Sequence, residues 1–245
     1  MKSIKVVDLE IDYAEARASN ERVVLLRHGW PYDIHSYVDV APLFVSAGYR
    51  MIVPYLRRYG TARSLSKGTP RNGQQSALAA ALGVEKAIIG GYGCGARTSK
   101  IMAVLWPDRC KAMVSVSGSA AKRMNKKPIP LKAELAWWYQ FYFATERGRL
   151  GYQANTHGFV HLIWETASPN GQFDDAIFTR SAPAFDNPDH VAIIVHNYRW
   201  RLDLIEGESR FDAFEEKLAN SPVITTSTIT LKGDQNAAPH RGLEV

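Results

Sequence analysis

The distribution of apolar and polar positions along the chain defines most of its elements. Val23-Val24-Leu25-Leu26 and Ala87-Ile88-Ile89 are short unbroken apolar runs, as expected of parallel strands buried on both faces. Ile4 to Leu9 and Glu10 to Tyr13 alternate apolar with polar residues and predict an opening hairpin. Asp39 to Ala47 has the spacing of an amphipathic helix with Gly48 as its stop, and Tyr49 to Pro54 is the next strand. Strand, helix, strand makes a right-handed crossover. Arg57 to Gly73 is polar and glycine-bearing, a predicted loop, and Gln74 to Leu82 a short helix. After Ala87-Ile88-Ile89 the segment Thr98 to Trp106 is helical in spacing, Trp106-Pro107-Asp108 ends it, and Ala112 to Val116 supplies another strand.

From about Ser117 to Phe214 this βα rhythm stops. Trp137, Trp138, Tyr139, Phe141, Tyr142, Phe143, Trp164 and Trp200 fall there in helix-like patterns, which predicts a helical lid inserted between strands. The strand rhythm resumes at Pro222-Val223-Ile224 and runs to Leu231. The expected organisation is an α/β core over 1–116, a helical cap over 117–214 and the remainder of the core over 215–245.

Composition narrows the function classes. At 245 residues and 46% hydrophobic, the chain can bury a substantial core. No stretch approaches the ~20 continuous apolar residues of a membrane span and no signal-peptide core follows Met1-Lys2-Ser3, so a cytoplasmic protein without a membrane partner is expected. The net charge of +6 has its densest cluster at Lys122-Arg123 and Lys126-Lys127, but basic residues are otherwise interleaved with acids and no nucleic-acid-binding pattern accompanies them. Cys94 and Cys110 are separated by a predicted helix, about 24 Å at ~1.5 Å per residue, too far for a disulfide. His157 and His161 are four apart and share a helix face, without an acidic third ligand at metal-site spacing. No cofactor is implied.

Candidate chemistry centres on Gly90 to Arg97, GGYGCGAR, placed between a strand and a helix. A small-x-nucleophile-x-small pattern at such a turn lets the chain bend sharply and lift one side chain above the sheet. Gly91 and Gly95 are the small residues, and the central position holds Gly93. Upstream, Arg27-His28-Gly29-Trp30-Pro31 follows a core strand, a turn suited to presenting the Trp30 N–H as an oxyanion donor. Cys94 is the nearest alternative nucleophile, but its flanking position 92 carries Tyr92 rather than a small residue.

Together, HGWP at 28–31, PYLRRYG at 54–60, GYGCGAR at 91–97, WYQFYF at 138–143, HNYRWR at 196–201 and LKGD at 231–234 resemble the epoxide hydrolase and haloalkane dehalogenase branch of the α/β-hydrolase superfamily, with epoxide hydrolases closest. The resemblance implies an α/β-hydrolase fold, a mostly parallel sheet flanked by helices with an inserted helical cap. In that family an aspartate on the elbow attacks carbon and a histidine paired with an acid hydrolyses the resulting ester. It implies lid tyrosines at Tyr139 and Tyr198, the charge-relay acid at Asp234, and oxyanion donors at the N–H groups of Trp30 and Cys94.

The chain departs from the family at the position of attack, where Gly93-Cys94 replaces Asp-Trp. In the family the histidine lies on a loop beyond a further strand, well past the relay acid, so the resemblance implies a truncated C-terminal part that lacks this strand and a closing helix. His240, the sole histidine after Asp234, does not match the catalytic one. The strand through Leu231 is then an exposed, β-branched, uncharged edge, which invites pairing with a second copy. The expectation is an epoxide-hydrolase-like protein of little or no activity, with a non-catalytic binder of a small apolar molecule in the cap-core cleft, or a Cys94-dependent esterase, as the alternatives.

Overall fold

The computed structural model describes residues 1–6, 8–16, 22–57, 59–66, 68–69, 84–117, 130–171, 173–220 and 222–233. The alternating N-terminal pattern forms the antiparallel pair β1 (Lys2–Val6) and β2 (Leu9–Ala16), with Leu9, Ile11 and Tyr13 buried on one face of β2. The unbroken run Val23–Arg27 is β3, buried at all five positions. A 3-10 turn (Ile34–Tyr37) precedes helix α1 (Ala41–Ser46), two residues inside the predicted start, and β4 is Arg50–Pro54. Residues 63 and 64, within the segment predicted to be loop, form a two-residue strand β5 (Arg63–Ser64) against β2.

The central unit is β6 (Ala87–Tyr92), α2 (Cys94–Leu105) and β7 (Cys110–Val116). β6 runs three residues past its apolar core, and α2 begins at Cys94 rather than Thr98, so the elbow residues 94–97 make the first helical turn. The sheet order is β1-β2-β4-β3-β6-β7-β8, with β5 paired to β2. Pairs β4/β3, β3/β6, β6/β7 and β7/β8 are parallel. The register Arg27↔Gly91 sets the end of β3 beside the end of β6, so the HGWP turn and the elbow emerge together at the carboxyl edge of the sheet. That edge, where strand order reverses around a first central strand, is where open α/β sheets place ligands.

Between β7 and the last strand come α3 (Leu131–Ala136), α4 (Tyr139–Ala144), α5 (Glu146–Ala154), α6 (Thr156–Ala167), α7 (Asp175–Ser181), α8 (His190–Arg201) and α9 (Asp212–Ala219). Side-chain caps start three of them: Thr145 accepts from Gly148 N–H, Asn155 from Gly158 N–H, and Asp174 from Ile177 N–H. One cluster of buried side chains spans sheet and helices, joining Val24, Leu26 and Trp30 to Phe143, Tyr152, Val160, Trp164 and Tyr198. The opposite sheet face packs Leu25, Ile52 and Ile89 on Met102 and Ala103 of α2.

The last strand, β8 (Thr228–Leu231), is shorter than predicted: Pro222-Val223-Ile224 are not in a strand, and Val223 is 85% exposed. Apolar and β-branched composition mimics a strand there, although no strand among the described residues pairs with it. All four residues of β8 are exposed. The predicted helix 74–82, the basic cluster at 122–127, Asp234 and His240 lie outside the described residues.

Candidate functional site

The elbow is built by its glycines. Gly93 has φ +54° and ψ −118°, the left-handed region that favours glycine. Its neighbours at i−2 and i+2 are glycine for a different reason. A Cβ on Gly91 or on Gly95 would run into the carbonyl oxygen of Arg27, because β3 closes tightly over the start of α2. At Gly93 the same Cβ would meet only Gly29 Cα, at 3.6 Å, an ordinary contact. The turn therefore has room for a side chain at position 93 and at neither flanking glycine. Sequence spacing placed the centre at 93, and the packing agrees with that register.

Gly29 is itself pressed against the elbow, since a Cβ on it would lie 2.8 Å from the Tyr92 carbonyl oxygen. The next residue, Trp30, precedes Pro31 through a cis peptide. Among the described residues neither the Trp30 N–H nor the Cys94 N–H donates to a backbone carbonyl. The Cys94 N–H belongs to the first turn of α2, whose amides carry the positive end of the helix. His28 supports the turn from beneath. It is wholly buried, accepts from the Leu56 N–H through Nε2 at 3.1 Å and directs Nδ1 at Gly29 O, 3.3 Å away. Burial holds its pKa down to about 4, against the nearby Asp33, so the ring is neutral.

Tyr139 and Tyr198 meet at this edge. Their ring centroids are 5.5 Å apart, and those of Trp30 lie 4.9 Å from Tyr139 and 5.5 Å from Tyr198. Burial raises the Tyr139 pKa, opposed by Arg201 and by a hydrogen bond with Tyr198. Burial also pushes Tyr198 well above its ordinary value, and Tyr139 and Cys94 add to the rise. Both phenols thus keep their protons far into the alkaline range, as hydrogen-bond donors must. Cys94 is half-buried with a free thiol and packs against the same cluster.

Other residues at the site lie in the quoted motifs but received no role from spacing alone. Tyr59, 2% exposed, has its pKa raised by burial and by Cys94, Tyr152 and Tyr92. The Arg97 guanidinium lies 5.0 Å above the Trp200 ring, with its pKa drawn down to about 10 by burial and by Arg201. Arg201 in turn stands 5.7 Å from the Tyr198 ring centre. Tyr152 had no signal at all: it accepts from Trp30 Nε1 at 3.1 Å and lies 2.9 Å from His190 Nε2.

The described histidines are each engaged: His28 with Leu56, His35 with Asp33, His157 with Asp186, His161 with Glu165, His190 with Tyr152, and His196 with the Glu206 backbone. His157 and His161 do share α6, but their partners are these carboxylates and, for His161, the rings of Phe173 and Phe178. Asp234 has no assigned place, being outside the described residues.

Comparison with known proteins agrees with this geometry. The pattern of the α/β hydrolase fold matches residues 22–151, more than half of the chain. A crystal structure of a candidate epoxide hydrolase from Klebsiella pneumoniae is 52% identical, superposes with a TM-score of 0.93, and the match covers 98% of this chain and 82% of that one. Epoxide hydrolase B of Mycobacterium tuberculosis is 29% identical over 145 residues, 51% of this chain and 41% of its own length. Epoxide hydrolase 3 of Siraitia grosvenorii is 35% identical over 100 residues, 39% of this chain and 32% of its own. The match thus spans less than half the length of these curated relatives. The epoxide hydrolase of Vigna radiata, 18% identical with a TM-score of 0.71 over 96% of this chain and 79% of that one, shares the fold. No described helix is long and apolar enough to cross a membrane. The chain belongs to the α/β-hydrolase fold family, in its epoxide-hydrolase-like branch.

Proposed function

We propose that the cleft at the carboxyl edge of the sheet, roofed by a helical cap, binds epoxides or related small apolar electrophiles and turns them over weakly or not at all. One observation carries the reading: the elbow keeps the backbone and the space of a nucleophile position, yet position 93 is glycine. In this reading Tyr139 and Tyr198 donate to the epoxide oxygen, and the Trp30 and Cys94 N–H groups form the cradle in which an ester oxyanion would sit. No step is assigned to Asp234.

Without an attacking carboxylate, ring opening falls to water. A water oxygen bonds to an epoxide carbon as the C–O bond breaks, a tyrosine gives its proton to the leaving oxygen, and the water's proton passes to solvent. Such assistance without the covalent machinery leaves roughly 10³ to 10⁴ over the uncatalysed rate, after a loss of about a millionfold.

The test is thermal melting of the protein with styrene oxide alongside assay of diol. At tenfold excess over Kd the ligand stabilises by about 1.4 kcal/mol, and diol should form far below the ~1 s⁻¹ of ordinary enzymes. Turnover at ordinary rates would overturn the inactivity, and an unchanged melting curve would overturn the binding. Gly93→Asp restores a carboxylate, and the variant should gain the mass of one epoxide as a persistent ester.

A second reading rests on Cys94, whose thiol shares the cleft with Tyr59, Tyr139 and Tyr198. It predicts hydrolysis of activated esters through a thioester. Esterase activity that survives iodoacetamide would eliminate it.

A further inference from the structure

The glycines at the carboxyl edge of the sheet are not alike. A Cβ on Gly29 would run into the Tyr92 carbonyl oxygen, and one on Gly91 or Gly95 into the Arg27 carbonyl oxygen. A Cβ on Gly93, its chain neighbours apart, would have Gly29 Cα at 3.6 Å and nothing else within 4 Å among the described residues. Gly93 and Cys94 are both only half-buried, so solvent reaches this gap.

The polar groups beside it are donors. Neither the Trp30 N–H nor the Cys94 N–H has an acceptor among the described residues. Tyr139 and Tyr198 hydrogen-bond one another, and burial keeps both protonated. Two phenols hold two protons and spend one on their mutual bond, so one remains for a ligand. Gln140 also bonds the Tyr139 side chain, and because its Oε1 has no partner that bond comes from the amide N–H and uses no phenol proton. The Arg201 guanidinium, 5.7 Å from the Tyr198 ring centre, adds positive charge. Donors around an open centre suit an anion that is also a nucleophile.

We propose that the gap at Gly93 admits a small carboxylate from solution, formate being the smallest, which attacks a bound epoxide in the place of an elbow side chain. This rests on the epoxide-binding reading above. One carboxylate oxygen bonds to an epoxide carbon while the other accepts from the Trp30 and Cys94 N–H groups. The ring C–O bond breaks with its electron pair going to oxygen, and a phenol passes its proton there. Water reprotonates the phenolate and leaves hydroxide in solution. The product is a free hydroxy ester, which departs because no bond ties it to the chain.

Size and tethering set the expected rate. Formate matches a bare carboxyl group, whereas pivalate adds a tert-butyl group that a gap one side chain wide does not hold. A well-placed tethered group counts as roughly 10⁵ to 10⁸ M, and loss of the covalent machinery costs about a millionfold. At the lower bound of that range, formate at about 1 M runs roughly tenfold above water.

The test incubates the full chain and styrene oxide with formate or with pivalate at equal concentration, subtracting protein-free reactions. In formate the protein-dependent loss of styrene oxide should be roughly tenfold faster than in pivalate, with the hydroxy formate ester as the product seen by mass spectrometry. Gly93→Asp fills the gap and should remove the formate dependence; its melting curve shows whether it is folded, and the comparison of the two anions on the unaltered chain stands without it. Equal rates in the two anions, with styrene oxide still shifting the melting curve, would overturn the formate step and leave the binding reading in place. A formate effect that survives in folded Gly93→Asp would overturn its placement at position 93. An unshifted melting curve with styrene oxide would overturn the binding reading and this step with it.

Discussion

The elbow register can be tested without any substrate, by adding one methyl group at each of its glycines. For Gly93→Ala the new Cβ has 3.6 Å to Gly29 Cα, so no atom has to move and the cost is backbone strain alone. A non-glycine residue in that region costs about 1–3 kcal/mol, and the stiffer unfolded chain returns ~0.4–1 kcal/mol. The net loss is about 1–2 kcal/mol. For Gly95→Ala the Cβ overlaps the Arg27 carbonyl oxygen, and Arg27 is the last residue of a strand buried at every position. Neither the strand nor α2 can retreat without opening the sheet-helix interface, so the loss exceeds the usual ~1–3 kcal/mol of overpacking. Gly91→Ala meets the same oxygen and belongs with it. Urea unfolding of the three variants should therefore give one mild and two severe losses, at least ~1 kcal/mol apart. If Gly93→Ala is as damaging as Gly95→Ala, position 93 is not the open centre of the turn and the functional reading built on it fails.

Other outcomes follow from the same geometry. Tyr139→Phe and Tyr198→Phe should each weaken styrene oxide binding five- to tenfold, the value of one hydrogen bond at about 1–1.5 kcal/mol, read by quenching of tryptophan fluorescence. Acid stability reports on His28: its folded pKa, about 4, lies below the unfolded 6.5, so the unfolded chain binds the extra proton and stability is lost as pH falls from 6.5 to 4, by about 3 kcal/mol. His28→Gln, which keeps an acceptor for the Leu56 N–H, should flatten that limb in pH-dependent urea midpoints. Tyr152→Phe strands the Trp30 indole N–H and a His190 nitrogen in the core and should cost about 2–3 kcal/mol in the same assay. For β8, exposed at all four positions, concentration-dependent dimerisation in size-exclusion chromatography is expected, and Ile229→Lys should abolish it.

The strand buried on both faces is the most legible part of the chain, because burial leaves a continuous apolar run: β3 matches its apolar run to within one residue, β6 begins where its run does although it extends to Tyr92, and β7, only partly buried, matches to within two residues. Misreadings arose where composition and burial disagree. Val223 is apolar yet among the most exposed residues, so the predicted strand over 222–231 shrank to Thr228–Leu231. β5, two residues long, has no periodicity to detect. At the site, glycine spacing revealed the centre of the elbow, since a backbone requirement is written in the residue that meets it. The convergence of Tyr59, Tyr152, Arg97 and Arg201 on Cys94 and the tyrosines was not visible, because it depends on how α5 and α8 pack over the sheet. Local motifs mark these residues without saying which way they face.

That packing explains how the turn beside the elbow keeps its shape with no side chain at position 93. Trp30 has its ring within 6.4 Å of Tyr139, Phe143, Tyr152, Phe159 and Tyr198. Its indole N–H is fixed by Tyr152, and Trp164 Nε1 donates to the Pro31 carbonyl at 2.7 Å. Ser181 at the end of α7 donates to Asp33, just beyond the same turn, at 2.8 Å. Helices α4 to α8 therefore hold the HGWP turn from above, while His28 and the close approach of Gly29 to Tyr92 hold it from below. None of these contacts involves position 93. Aromatic burial of this kind contributes about 1.5–3 kcal/mol per large side chain, whereas a catalytic carboxylate in a cleft contributes little to folding or detracts from it. If the proposed reading holds, glycine at the centre leaves the forces that shape the turn intact, and ligand affinity and turnover are then separable properties of this chain.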